Sequence, residues 1–334
     1  MATLAGFQPA SVTFVSPNAG FVLGTQACAT GTCTTLGATT DAGRTWAKAG
    51  VLPPALTGDA QGVRKVRFAT ASDGWAFGPQ LWSTHDGGRS WRQIPQPGPV
   101  SDVEASGGVA YAIVASCSAE PCGSGVRLLR TPVDADTWTA VAGVALQNDG
   151  VLALHGRAVW VVAGGGPGAA KFLTSADGTS WHFVANPCAT LGPNWSLGGV
   201  APVTTTSVYL LCISDPGAGS EAKKVLFSTD GGAHGTPTSA DPPTGGLADG
   251  IAAASTAVVV VPARSGASWV YRSADGGHAW AAPLTQGDGG MGYNDVGFTT
   301  ATQGVAIHGS PSAQDPSALF MTRDAGATWT PVAF

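Results

Sequence analysis

Seven aspartates recur along the chain, most of them followed by small residues and a tryptophan. Residues 39–46 read TTDAGRTW, 84–91 read THDGGRSW, 273–280 read SADGGHAW and 322–329 read TRDAGATW. TSADGTSW at 174–181 is one residue shorter between its aspartate and its tryptophan. RTPVDADTW at 130–138 keeps Trp138 but not the glycine, and STDGGAHG at 228–235 has Gly235 where tryptophan stands elsewhere. A carboxylate beside hydroxyls could serve in proton transfer or cation binding. Here a local role comes first. Aspartate at a turn accepts hydrogen bonds from the amides that follow it, and glycine supplies the positive φ that such a turn needs. The tryptophan then opens a strand and fills a wedge of the core; truncating Trp91 to alanine is expected to cost about 3–5 kcal/mol. Asp41, Trp46, Asp86, Trp91, Trp138, Asp177, Trp181, Asp230, Asp275, Trp280, Asp324 and Trp329 are therefore read as structural fasteners.

Chemistry must then come from a second set of polar residues, which stand just before short apolar runs. Ser11 precedes VTF, Lys65 precedes VRF and Asp102 precedes VEA. Asp149 precedes GVLAL, Ser196 precedes LGGV, Asp249 precedes GIAAA and Asp295 precedes VGF. Arg64, Trp195, Tyr293 and Asn294 adjoin them. Four carboxylates with one basic corner could hold a cation, a sugar or an amine. Clustered carboxylates raise one another's pKa, which marks a site.

Elements that would bring such residues together follow from the repeat. Successive turn aspartates lie 43 to 53 residues apart when Asp134 is taken for the third copy, a period that signals an array of supersecondary units. Within one unit, VRKVRF alternates with the period of a strand. ATASDG turns, WAFG and LWST are two further strands, HDGGR turns again and SWRQI is a fourth. Four short antiparallel strands per unit are a propeller blade, and no helical periodicity of useful length is found. The expected fold is all-β: a single seven-bladed β-propeller domain over residues 1–334, with the Asp-containing turns between strands three and four. Arg64, Lys65, Asp102, Asp149, Trp195, Asp249, Tyr293, Asn294 and Asp295 then line the mouth of its central channel. The segment MATLAGF is expected to close the ring by pairing with an edge of blade seven.

Composition excludes several classes. The net charge of −5 is mild and charged residues are 11% of the chain, so a nucleic-acid footprint, which needs a basic face, is absent. The apolar run at 251–263 is broken by Ser255 and Thr256 and falls short of the ~20 residues of a spanning helix. Cys28/Cys33 and Cys117/Cys122 are each separated by four residues, and Cys188 pairs by default with Cys212. No histidine neighbours them as a zinc site would need, so three disulfides and an extracellular or cell-envelope location are expected. MATLAGFQPA lacks the features of a signal peptide; the expectation is that a leader has been removed. The six histidines never pair at metal spacing, and His85 and His278 read as solvated turn residues. VVAGGGPGAAK at 161–171 lacks the Gly-Lys-Ser/Thr ending of a phosphate loop. The stretches 214–224 and 309–318 read as exposed insertions. No metal and no cofactor are expected.

The repeated S/T-x-D-x-G-x-T-W pattern resembles the Asp-box, or bacterial neuraminidase repeat, and with the V-x-F-x5-G-W/F frame the resemblance covers nearly the whole chain. Its texture is similar to seven-bladed propellers of the photosystem II assembly factor type. That resemblance implies a non-enzymatic binding or assembly scaffold, monomeric, with a protein or glycan ligand. A sialidase would require an Arg-Ile-Pro motif, which does not occur, and a Tyr–Glu pair, for which Glu104, Glu120 and Glu221 are poorly placed. A lectin-like propeller and a glycoside-processing enzyme using the channel carboxylates are the alternatives; fold likeness alone does not choose between them.

Overall fold

The computed structural model describes residues 4–29, 31–115, 125–146, 149–164, 171–287, 289–311 and 316–334. Its strands form a seven-bladed β-propeller. Blade 1 comprises Gln8–Phe14, Gly20–Cys28, Gly31–Thr39 and Ala47–Val51; blade 2 comprises Lys65–Phe68, Gly74–Phe77, Leu81–Thr84 and Arg92–Gln93. Val100–Ser106, Val109–Ala115, Val126–Pro132 and Thr139–Ala140 make blade 3, and Gly150–His155, Ala158–Ala163, Lys171–Ser175 and His182–Val184 make blade 4. Blade 5 is Trp195–Pro202, Val208–Ser214, Lys223–Ser228 and Thr236–Pro237. In blade 6 the first strand is split into Leu247–Ala248 and Ala252–Ala253, followed by Val259–Arg264, Ser268–Ser273 and Ala281–Gln286. Tyr293–Phe298, Gly304–His308, Ala318–Thr322 and Thr330–Pro331 complete blade 7. No helix among the described residues is long and apolar enough to cross a membrane.

The chain divides into two compact units, one of Met1–Asp149 with Gly309–Leu319 and Pro331–Phe334, the other of Gly150–His308 with Phe320–Thr330. The second strands are the most buried elements: every residue of Gly74–Phe77 and of Ala158–Ala163 is buried. A strand covered on both faces reads as a continuous apolar run instead of an alternating one, which is why WAF and AVWVVA sit there.

The turns between third and fourth strands share one geometry. In blade 1, Asp41 Oδ1 accepts from the Thr39 hydroxyl at 2.8 Å and the Thr45 amide at 2.9 Å, and Oδ2 accepts from the Thr45 hydroxyl at 2.6 Å. Asp86 and Asp324 repeat this with Thr84 and Ser90, and with Thr322 and Thr328. Hydrogen bonds to the carboxylate hold Asp41, Asp86 and Asp324 down at about 2. The two residues after each of these aspartates are left-handed: φ is 74° and 83° at Gly87 and Gly88. A Cβ at Gly88 would lie 2.2 Å from Leu36 of the preceding blade, so glycine is required there twice over.

The tryptophans of these turns are half-buried, against the expectation that they fill the wedges. The largest fully buried aromatics, Trp75, Trp160 and Tyr209, come instead from second strands. Each reaches the next blade. Phe21 stacks on Phe68 at 3.7 Å, Trp75 meets Trp138 edge-on at 6.1 Å, and the Tyr209 hydroxyl donates to the Thr256 carbonyl at 2.6 Å. Trp160 donates its indole N–H to the Gly231 carbonyl at 2.7 Å, inside the one turn that has lost its own tryptophan. Sequence position alone did not rank Trp75 above Trp91; the double coverage of the second strand does.

Other expectations are corrected too. Residues 4–7 form a turn, with the Phe7 amide donating to the Leu4 carbonyl at 3.0 Å, and not a strand on blade 7. They contribute side chains: Leu4 is buried, and Phe334 lies 4.9 Å from Phe7 and 5.9 Å from Trp46. Cys28–Cys33 and Cys188–Cys212 are disulfides; Cys117 and Cys122 lie outside the described residues. In the chain-entropy view those two bonds contribute roughly 2 and 3.5 kcal/mol by closing short and longer loops. His85 is exposed in its turn, as expected, but both of its ring nitrogens are engaged. Its Nδ1 lies 2.8 Å from Asp73 Oδ1 and its Nε2 3.2 Å from Asp136 Oδ2. Asp136 also accepts from Ser83 at 3.0 Å and from Arg92, so the third turn, which lacks its glycine, is bound to blade 2 through Asp136.

Two outcomes follow. Trp160→Ala should cost ~3–5 kcal/mol in denaturant unfolding, and the half-buried Trp91→Ala about half as much; equal losses would return the wedge to the turn tryptophans. For His85, burial opposes the charge, but hydrogen bonds to Asp73 and Asp136 outweigh it and raise the pKa above 6.5. A raised folded-state pKa stabilises fully below the unfolded value and less as pH climbs through the folded one. The Tm gap between wild type and His85→Asn should thus be widest near pH ~5.5 and shrink by pH ~8.5; a gap constant across that range would show that the imidazole is held neutral.

Candidate functional site

Two places gather the polar residues picked out by sequence. In the first unit, a cleft of about 650 Å³ has Arg64 and Asp149 on its wall. Arg64 is exposed and stands one residue ahead of the first strand of blade 2, its amide fixed to the Phe77 carbonyl at 2.8 Å. The guanidinium lies over Gly58, where an added Cβ would be 3.2 Å from Nη1. Asp149, also exposed, stands one residue ahead of the first strand of blade 4. Between them runs Ile94-Pro-Gln-Pro-Gly-Pro99, a wall of fixed φ and few donors, anchored where the Pro79 carbonyl accepts from Val100 at 2.8 Å and the Pro99 carbonyl from Ala115 at 2.9 Å. Gln80 adds a carboxamide ladder: it donates to Gln61 at 3.1 Å and accepts from the Trp82 indole at 2.8 Å. Such a lining can recognise; its described residues include one carboxylate and no histidine or cysteine.

In the second unit, the split first strand of blade 6 exposes the backbone of Asp249 while its side chain is only 15% exposed. Arg264 Nε donates to Asp249 Oδ1 at 3.0 Å, and the Tyr293 amide donates to the same carboxylate. Burial pushes Asp249 up to about 6, against the pull of Arg264 and the Tyr293 amide. Gly292 has φ 81°, and a Cβ there would fall 2.7 Å from Asp249 Oδ2, so no other residue lets the two strands close over this pair.

Behind Asp249 lies a group that sequence reading placed on an exposed insertion. Glu221 and Lys223 are 7% and 1% exposed. Glu221 Oε1 accepts from the Ala248 amide at 2.5 Å. The Lys223 ammonium sits among the carbonyls of Glu221, Pro243, Thr244, Gly245 and Gly246, at 2.5 to 3.4 Å. Three N–H donors are shared among five acceptors. Burial pushes Lys223 down, with Glu221 opposing, and pushes Glu221 up. The lysine thus acts as an internal cation that folds residues 243–246 and, through Glu221, the strand that ends at Asp249. No pattern in SDPGAGSEAKK foretells this, because the carbonyls come from a segment 20 residues downstream.

The remaining residues are dispersed in environment. Lys65 opens its strand half-buried. Asp102 is 5% exposed, follows a bulge and accepts from the Val103 amide at 3.1 Å. Ser11 accepts from the Val66 amide at 3.0 Å and joins blades 1 and 2. Trp195 packs on the cluster that holds Cys188 and Leu197, and Ser196 follows it half-buried. Tyr293 is buried, its ring 5.1 Å from His308. Asn294 is exposed, and Asp295 has φ 48° within the bulge of blade 7. Among the described residues no three His, Cys, Asp or Glu side chains are placed to hold a metal ion.

No family model matches the chain, and no curated protein is similar to it in sequence. Solved structures are. YCF48 bound to D1 peptide is 18% identical, with 98% of this chain and 93% of that one covered at a TM-score of 0.59. YCF48 from Cyanidioschyzon merolae is 17% identical, with 96% and 94% covered at 0.61. An ulvan lyase of polysaccharide lyase family PL25 is 10% identical, with 100% and 96% covered at 0.53. At these identities the likeness is one of fold: the chain is a seven-bladed β-propeller of the kind that the YCF48 structures display.

Proposed function

We propose that this protein is a non-enzymatic binding scaffold that takes an extended protein segment in the cleft between Arg64 and Asp149. The observation that carries the reading is the lining itself: opposite charges at Arg64 and Asp149, carboxamides, and a rigid proline wall around about 650 Å³. Carboxamides satisfy the backbone of an extended chain, and the two charges fix its direction. The YCF48 structure with a D1 peptide supports a peptide as the kind of ligand this fold receives. The turns are read as Asp-boxes, and the whole chain as one propeller domain. The disulfides Cys28–Cys33 and Cys188–Cys212 support an oxidising compartment, and with it a secreted or envelope location.

The test is a peptide array of extended sequences with varied termini and charges, read with wild type, Arg64→Glu and Asp149→Lys. Both positions are exposed, so both variants should keep their stability within about 0.5 kcal/mol. Each should lose the peptides that wild type retains, and the double variant Arg64→Glu/Asp149→Lys, which restores one charge of each sign in reversed order, should shift preference toward the opposite charge order. Unchanged peptide profiles in both variants would move the site away from this cleft.

A further inference from the structure

Apart from the blade 3 turn, which lacks its glycine, two neighbouring turns depart from the shared cap. In the turns of blades 1, 2, 4 and 7, the second aspartate oxygen is capped by a hydroxyl: Thr45, Ser90, Ser180 and Thr328 donate at 2.6 to 3.2 Å. In blade 5, His234 Nδ1 takes that place, 2.7 Å from Asp230 Oδ2. In blade 6 the position is Ala279. Ser273 and the amides of His278 and Ala279 all donate to Asp275 Oδ1, and among the described residues nothing donates to Oδ2. The blade 5 turn also carries Gly235 in place of tryptophan.

Both turns open on one cleft of about 770 Å³ in the second unit. Asp230, Asp275, His234 and His278 stand around it, and Phe227 and Tyr209 line it. The Tyr209 hydroxyl is spent on the Thr256 carbonyl, whereas Phe227 is half-buried, its ring 4.9 Å from that of Tyr209. No lysine or arginine is among the lining residues. Asp275 is exposed, so its Oδ2 faces the cleft and not a donor of its own turn. A carboxylate that shares a cleft with a half-buried aromatic ring is complementary to a guanidinium, which forks to carboxylates and stacks on aromatic faces. The volume admits a short chain segment and not just one side chain.

We infer that the cleft between the turns of blades 5 and 6 is a docking site for an arginine side chain on an extended segment of a protein partner, with Asp275 Oδ2 as acceptor and Phe227 as stacking face. It is separate from the cleft at Arg64 and Asp149.

The experiment uses the full chain and two probes, acetyl-Ala-Arg-Ala-amide and its citrulline counterpart, followed by amide chemical-shift titration. The arginine probe should shift residues around 227–238 and 275–280, and the neutral, near-isosteric citrulline probe should bind about tenfold more weakly. Ala279→Thr supplies the hydroxyl that other turns use. It should raise Tm, or leave it unchanged, and weaken the arginine probe by a similar factor. Asp275→Asn keeps a turn acceptor and should weaken it as well, while Asp324→Asn in another turn should leave it untouched. Arg64→Glu should have no effect, which keeps this result independent of the other cleft. Equal binding of both probes, full binding by Ala279→Thr, or no shifts at ~10 mM arginine probe would each overturn the assignment.

Discussion

A four-stranded blade has two apolar faces and cannot bury either alone, so everything in this fold depends on the contact of one blade with the next. That contact is made at one place in the repeat. The second strand, covered on both sides, sends an aromatic ring toward its neighbour, where a turn or a first strand receives it. Trp160 reaching the Gly231 carbonyl and Phe21 stacked on Phe68 are two versions of the same joint. The turn must be rigid to serve as a socket. An aspartate that accepts from a hydroxyl and a following amide, followed by two left-handed residues, gives that rigidity with side chains no larger than threonine. Hydrogen bonds lower those carboxylates to about 2 in the complete copies, so the turns stay ionised and intact across the whole physiological range.

The repeat was legible because its chemistry is local. An aspartate, a glycine and a hydroxyl within eight positions define a turn whatever lies outside them, and six such turns with a seventh that lacks the glycine, at near-equal spacing, define blades. What sequence did not rank was burial between aromatics of one blade. Trp75 and Trp91 stand 16 residues apart with similar neighbours; only the stacking of strands makes the first a sealed residue and the second a half-buried one. The same limit hid the buried lysine. Lys223 lies in a stretch whose composition is that of a solvated loop, and its burial is decided by carbonyls at 243–246. His85 looked like an ordinary turn residue because Asp73 and Asp136, which clamp it, are 12 and 51 positions away.

The site residues were partly legible for a related reason. A polar residue just ahead of an apolar run marks the start of a first strand, and Arg64 and Asp149 do line one cleft. Spacing did not convey how differently each start is built. Asp102 follows a bulge and spends its carboxylate on its own strand. Asp249 sits in a complete break of the strand, held by Arg264 and the Tyr293 amide and supported from behind by Glu221 and Lys223. Four aspartates that look equivalent in sequence differ in burial and backbone setting, and at Asp102 and Asp295 a bulge re-aims side chains that the two-residue period would otherwise align.

Repetition also makes departures informative. Where a socket is needed only for packing, selection for stability keeps the capping hydroxyl and the tryptophan together, since each is worth a measurable fraction of a marginal total. Two adjacent turns, one with histidine for the hydroxyl and glycine for the tryptophan and the other with alanine for the hydroxyl, keep the aspartate and its frame and give up the seal. The loss at Gly235 is compensated by Trp160 from the blade before, so the fold does not need the missing indole. The loss at Ala279 is compensated by nothing among the described residues: three donors meet one oxygen of Asp275 and leave the other facing the cleft. A carboxylate held rigid by its own turn, with one oxygen left open to the cleft, is pre-ordered for an outside donor, and the entropy of fixing it is already spent when the protein folds.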